Sequence, residues 1–247
     1  MAIAATDILF NLSVNHQDSD TGTQGGARLA TGRVLDDQFT AAAQPDVVSD
    51  SASDVQLLTI VGRLASGAID TEALDLTGTT PVLFTKTFER ILTLTLDEAA
   101  IGTITVKEGD DGTTRHTFAA AELTARALFY GAAAEASGGD PVLRYEKVFV
   151  ENNHATLAAL ALYLELTTDP RLDYDIALET SIDGSESTAT RIIAPTSIGS
   201  FGKGPLAVTG TDLEAGTAQG VWVRQTLDAG TAPALDEPVV TVDFNTA

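Results

Sequence analysis

Apolar residues at alternate positions recur along most of this chain, in runs too short for anything but strands. Ile8, Phe10, Leu12 and Val14 alternate with Leu9, Asn11 and Ser13, which gives an extended segment one apolar face. From residue 55 the runs VQLLTIVGRL, IDTEALDL, PVLFTKTF, RILTLTL and GTITVKEG follow one another. Between them lie Ala-Ser-Gly, Thr-Gly-Thr-Thr-Pro, Asp-Glu-Ala-Ala and Gly-Asp-Asp-Gly. After Gly138-Gly139-Asp140-Pro141 come LRYEKVFVEN, TLAALALYLEL, YDIALETSI, TRIIAP, GVWVRQTL and PVVTVDF. Short strands at regular spacing with turn signals between them indicate a sandwich or barrel. Asp110-Asp111-Gly112 and Asp183-Gly184 are hairpin signals, and Thr168-Asp169-Pro170 marks a loop. The pattern predicts an all-β protein, a β-sandwich of Ig-like or jelly-roll-like type. Val148, within KVFV, is assigned to its core and Glu151 to its solvent side.

Two segments depart from the pattern. Residues 16–54 are rich in Asp, Ser, Thr, Gly and Ala and show no sustained period. They read as a long N-terminal arm, mobile in isolation and ordered by an assembly, because long loops in compact domains are usually functional or fixed from outside. Residues 118–136, FAAAELTARALFYGAAAEA, have the alanine content of a helix, yet Leu123, Ala125, Ala127 and Phe129 also alternate. The expected organisation is an N-terminal strand and arm over 1–54, a smaller β module over 55–120, and the main sandwich over 121–247.

The chain has 35 acidic and 14 basic residues among 247, a formal net charge of −21. Such a surface repels phosphate backbones and anionic lipid, so neither nucleic acid nor membrane is an expected partner. A hydrophobic fraction of 44% is enough for a core and too high for intrinsic disorder. With no cysteine, disulfides, thiolate metal sites and cysteine nucleophiles are excluded. The opening MAIAATDILF lacks the basic region of a secretory signal, and no apolar run is long enough to span a membrane as a helix.

Candidate chemistry is sparse, and no catalytic residue or cofactor is expected. His16, His116 and His154 lie in different segments, with no metal-ligand spacing, and read as turn or surface histidines. Gly199-Ser200-Phe201-Gly202-Lys203-Gly204 is glycine-rich, but Gly204 stands where a phosphate loop needs Ser or Thr. Asp18-x-Asp20-x-Gly22 begins like a calcium loop. Its twelfth position is Leu29 rather than Glu, which leaves a polar turn or an irregular cation site drawing on Asp36 and Asp37. Trp222, the only tryptophan, shares a strand face with Arg224. Either the pair covers the sandwich, with the Arg224 charge in water, or both residues face a neighbouring subunit, where Trp and Arg serve as anchors.

The run YEKVFVENNHATLAALALYL, Tyr145 to Leu164, resembles a family of tailed-bacteriophage virion proteins. That family pairs an aromatic-x-x-hydrophobic strand with an Asn-rich turn and a second strand. GVWVRQT, Gly220 to Thr226, resembles its Gly-hydrophobic-Trp-hydrophobic-Arg-x-Thr strand, and TDILFNLSV its opening strand. The resemblance covers residues 3–15 and 121–247 and rests on structural motifs. The segment from about 55 to 120 has no counterpart in simpler members, although LTGTTPVLFTKTFERILTL resembles small β modules of other phage structural proteins. The resemblance implies a virion component at the capsid surface, a decoration or cement protein that bridges the major capsid protein or other virion proteins. It would act as a homo-oligomer, a trimer among the options. A neck or tail protein, including a host-binding one, and a secreted carbohydrate-binding module are the alternatives.

Overall fold

A computed structural model describes residues 2–17, 19–109, 112–129, 139–169, 173–230 and 238–246. Asp18, Asp110, Asp111, Gly138, Pro170 and residues 130–136 of the 118–136 segment lie outside the described residues. The described chain is all-β and sandwich-like, with one three-residue 3-10 turn at Ala5–Asp7 and no α-helix among the described residues. It divides into two compact units. One comprises Met1–Leu29 and Phe129–Ala247, the other Ala30–Leu128, whereas the sequence pattern predicts divisions near 54 and 120.

Strand β1 (Ile8–Asn15) is followed by β2 (Gln24–Val34), whose first half belongs to the first unit and second half to the other. Unit 30–128 continues with β3 (Pro45–Ser49), β4 (Leu57–Arg63), β5 (Ile69–Asp75), β6 (Val82–Leu83), β7 (Arg90–Leu96), β8 (Ile104–Glu108), β9 (Thr114–Phe118) and β10 (Thr124–Arg126). One of its sheets runs β2-β10-β7-β4-β5 and the other β6-β3-β8-β9. Strand β4 illustrates why: Leu58 and Ile60 are fully buried while Leu57, Thr59 and Val61 are only half-buried, the period of two that turns one face inward. Leu58, Ile60, Phe84, Phe88, Leu94 and Phe118 belong to one continuous core of this unit.

In the other unit the chain resumes with β11 (Val142–Asn152), β12 (Ala159–Thr168), β13 (Tyr174–Ile182), β14 (Ser187–Thr188), β15 (Leu206–Ala207), β16 (Ala218–Leu227) and β17 (Val239–Thr246). One sheet has the order β13-β16-β11-β1-β2, with β14 also paired to β2, and a second has the order β15-β12-β17. Strands β11 and β16 pair antiparallel over ten positions, from Val142↔Leu227 to Glu151↔Ala218.

Two expectations are corrected, and the alternative left open for residues 118–136 is decided. The expected arm contains β2 and β3, because its backbone groups are paired by neighbouring strands even though its side chains carry little apolar pattern. The described part of the helix candidate is strand and turn: Thr124–Arg126 pairs with both β2 and β7, so tertiary pairing overrides alanine's helical preference. Val148 is buried as expected, but Glu151 is buried too, held by Arg28 and the Asn11 amide. From Arg144 to Asn152 strand β11 is covered on both faces, so alternation in its sequence does not mark a solvent side.

Candidate functional site

Trp222 sits at the middle of β16, and its register explains a cluster the sequence did not reveal. Lys147 on β11 lies opposite Trp222, and Trp222 lies opposite Ala177 on β13. Directly paired residues project to the same side of a sheet, as do residues two apart on one strand. Lys147, Trp222, Gly220 and Glu179 therefore share one face. Leu178 pairs with Val221, which brings Glu179 beside Gly220. The missing side chain there lets the Glu179 carboxylate lean across β16: a Cβ on Gly220 would lie 2.4 Å from Oε2.

The carboxylate meets Lys147, whose Nζ is 2.6 Å from Oε1, with both side chains buried. The Trp222 indole Nε1–H donates to the same oxygen at 3.3 Å. Nζ also donates to the carbonyls of Gly26 at 2.8 Å, Gly184 at 3.0 Å and Glu186 at 3.3 Å, and lies 4.5 Å above the Phe149 ring. Burial pulls the Lys147 pKa below its ordinary value, and the neighbouring Glu179 and Glu186 only partly oppose this. Trp222 is fully buried. The edge of its indole packs on Gly25, where a Cβ would come within 2.8 Å of two ring carbons. Gly25 also has φ of 86°, so Gly25 of the expected arm is the floor of the tryptophan site, and the next residue, Gly26, accepts from Lys147.

Arg224 lies nearer the surface. It pairs with Asp175 and stacks its guanidinium 4.8 Å from the Phe201 ring. Trp222 is thus a core residue of the isolated chain, and of the two only Arg224 presents surface to a neighbour. Lys203, the cation of the glycine-rich loop, pairs with Asp169, while Gly202 bridges to Ile176 and so covers the edge of β13.

The Asn-rich turn is a second construction site. Asn152, fully buried, donates its amide to the carbonyls of Leu157 and Leu213, each at 2.8 Å, and its Oδ1 accepts from His154 N–H. The His154 Nδ1 in turn accepts from the backbone of Thr156 and Leu157. These bonds carry the chain from β11 in one sheet to β12 in the other. Here the ENNHAT stretch builds a turn.

His116 corrects the surface assignment. It is fully buried in unit 30–128, with Nε2 2.8 Å from Glu122 and Nδ1 3.0 Å from Asp36, and Arg33 reaches both carboxylates. Burial disfavours the imidazolium, but the hydrogen bonds and charges of Asp36 and Glu122 outweigh it, and the pKa is raised above 6.5. The signal available in the sequence was weak: a lone histidine in TRHTF whose partners lie six and eighty residues away.

Of the acidic residues weighed for a cation, Asp18 lies outside the described residues and the other three each have another partner. Asp20 takes Arg144 through two 2.8 Å bonds, Asp36 takes His116 and Arg33, and Asp37 takes Arg115. Among the described residues no group of three or more His, Asp or Glu is arranged to hold a metal ion.

Many other carboxylates staple loops. Asp54 accepts from the Ser49 hydroxyl and from Ile101 and Gly102 N–H. Glu72 accepts from Thr85 and Lys86, Glu108 from Thr40 and Ala41, and Glu186 from Thr196 and Ser197. Burial raises each of these pKa values, but the hydrogen bonds prevail and all four lie below the ordinary carboxylate range.

No family model, no curated protein and no solved structure matches this chain.

Proposed function

We propose that this chain is a structural protein of a tailed-bacteriophage particle, a decoration or cement protein bound to the capsid surface. The observation that supports this reading is the role of the segments resembling the phage family. They form the paired central strands β11 and β16 and the turn that joins two sheets. Their polar residues, Lys147, Asn152, His154 and Trp222, are engaged inside the chain. Such residues build a scaffold, and recognition falls to the surface.

That surface is strongly acidic and carries firmly held apolar groups. Val55 and Ile101 are exposed beside loops that Asp54 staples. Ile192 and Ile193 are exposed next to Arg191, which is fully buried and paired with Glu146. Loops held in one conformation lose less entropy on binding. Cementing then consists of burying surface against adjacent capsid subunits. A standard interface of about 1,600 Å², repeated over a shell, must be broken before the shell yields to internal pressure.

The test is the amount of this chain in purified particles relative to the major capsid protein. A ratio of many copies per shell is expected for cement. A few rings' worth assigns it to the neck or tail, and absence from particles overturns the reading.

A further inference from the structure

We propose that Lys147 and Glu179 become joined by an amide bond between Nζ and Cδ, an intramolecular cross-link that ties β11 to β13 across β16. The two strands flank β16 and do not pair with each other. The side chains nevertheless meet over Gly220, with Nζ 2.6 Å from Oε1 and neither group reaching solvent. Groups held at this distance in one orientation react as if at very high concentration.

The chemistry balances without any co-reactant. In a low-dielectric site the ion pair converts to its neutral form by passing one proton from Nζ to the carboxylate. The Nζ lone pair then attacks Cδ. In the tetrahedral intermediate Oε2 takes a second proton from Nζ, now bonded to Cδ, and then the first proton from Oε1; the Cδ–Oε2 bond breaks and Oε2 leaves as water. Nothing is oxidised or reduced, and the products are one amide and one water.

Four features of the site favour this course. The Trp222 Nε1–H, 3.3 Å from Oε1, is placed to stabilise the negative charge that builds on that oxygen as it gives up its proton. Among the described residues no donor reaches Oε2. A buried carboxylate oxygen in that position is costly, and Oε2 is the atom the reaction expels. The carbonyls of Gly26 and Gly184, at 2.8 and 3.0 Å, orient the amine through two N–H bonds, while the third carbonyl, Glu186, is the most distant at 3.3 Å. Burial also lowers the pKa of Lys147, which makes the neutral amine more accessible.

The experiment is the intact mass of the full, denatured chain, followed by a tryptic map. The expected mass is lower than that of the sequence by one water. Trypsin is expected to pass over Lys147, and a branched peptide is expected to join Lys147 to Glu179. Lys147→Arg and Glu179→Ala should each restore the full mass. A succinimide at Asp183-Gly184 would also remove one water, but it would open with hydroxylamine and persist in Lys147→Arg. The full sequence mass with cleavage after Lys147, or a water loss that survives in Lys147→Arg, overturns the proposal. Should Lys147→Arg fail to fold, the tryptic map of the unaltered chain decides alone.

Discussion

Replacing Gly220 with alanine adds one methyl group where the Glu179 carboxylate leans across β16. That methyl would lie 2.4 Å from Glu179 Oε2, 2.7 Å from Cδ and 3.0 Å from Cγ. These atoms cannot swing into solvent, because Glu179 is buried and held by Lys147 and Trp222. Overpacking by itself costs about 1–3 kcal/mol. Where the Lys147–Glu179 amide has not formed, pushing the carboxylate off Lys147 moves the cost toward the ~3–5 kcal/mol of a broken buried ion pair. We expect a loss of about 3 kcal/mol for Gly220→Ala. With a urea slope of about 2 kcal/mol/M, the midpoint falls by about 1.5 M.

Trp222 is the only tryptophan and belongs to this unit, so its emission follows the relevant transition. Gly202→Ala is the control. No heavy atom lies within 4 Å of its added Cβ, and its backbone is outside the left-handed region, so a change within about 0.5 kcal/mol is expected. Equal midpoints for Gly220→Ala and the parent would refute the reading of Gly220 as the space that Glu179 occupies.

Trp222→Ala should lose about 3–5 kcal/mol in a calorimetric melt; an unchanged melt would mean the indole is not the core residue described above. Glu151→Ala leaves Arg28 and the Asn11 amide without their acceptor, so a loss of about 1–3 kcal/mol is expected, and denaturation curves matching the parent would show that the contact carries no weight. The pKa of His116 is raised in the fold, so its contribution is complete below the unfolded value near pH 6.5 and is lost as pH rises through the folded value. His116→Gln should therefore flatten the decline in stability above that pH, and persistence of the same decline would assign it to another group. Asp54, Glu72, Glu108 and Glu186 have depressed pKa values. Their contribution is present above about pH 4 and fades as pH falls through the folded values, so Asp54→Ala should blunt acid unfolding followed by circular dichroism.

Period-two alternation and turn residues determine the all-β class, and they locate β1, β4, β7, β11 and β16 from the sequence alone. This was legible because inward and outward positions differ locally in hydrophobicity, a property each strand carries by itself. Strand β2 was not legible. QGGARLATGRV has little apolar contrast, and its place comes from backbone pairing and from Gly25 lying under Trp222. Nor could the sequence place Glu151, since a carboxylate on a strand reads as solvent-facing until Arg28 and Asn11 arrive from elsewhere in the chain. Trp222 and Arg224 read as a same-face pair, yet the partners that separate their roles, Glu179 and Asp175, are 43 and 49 positions away. His116 between Asp36 and Glu122, and Lys147 against Glu179, exist only in the folded chain. Local pattern fixes which residues avoid water; which buried charge meets which depends on strand order and register, and those are decided by the tertiary structure as a whole.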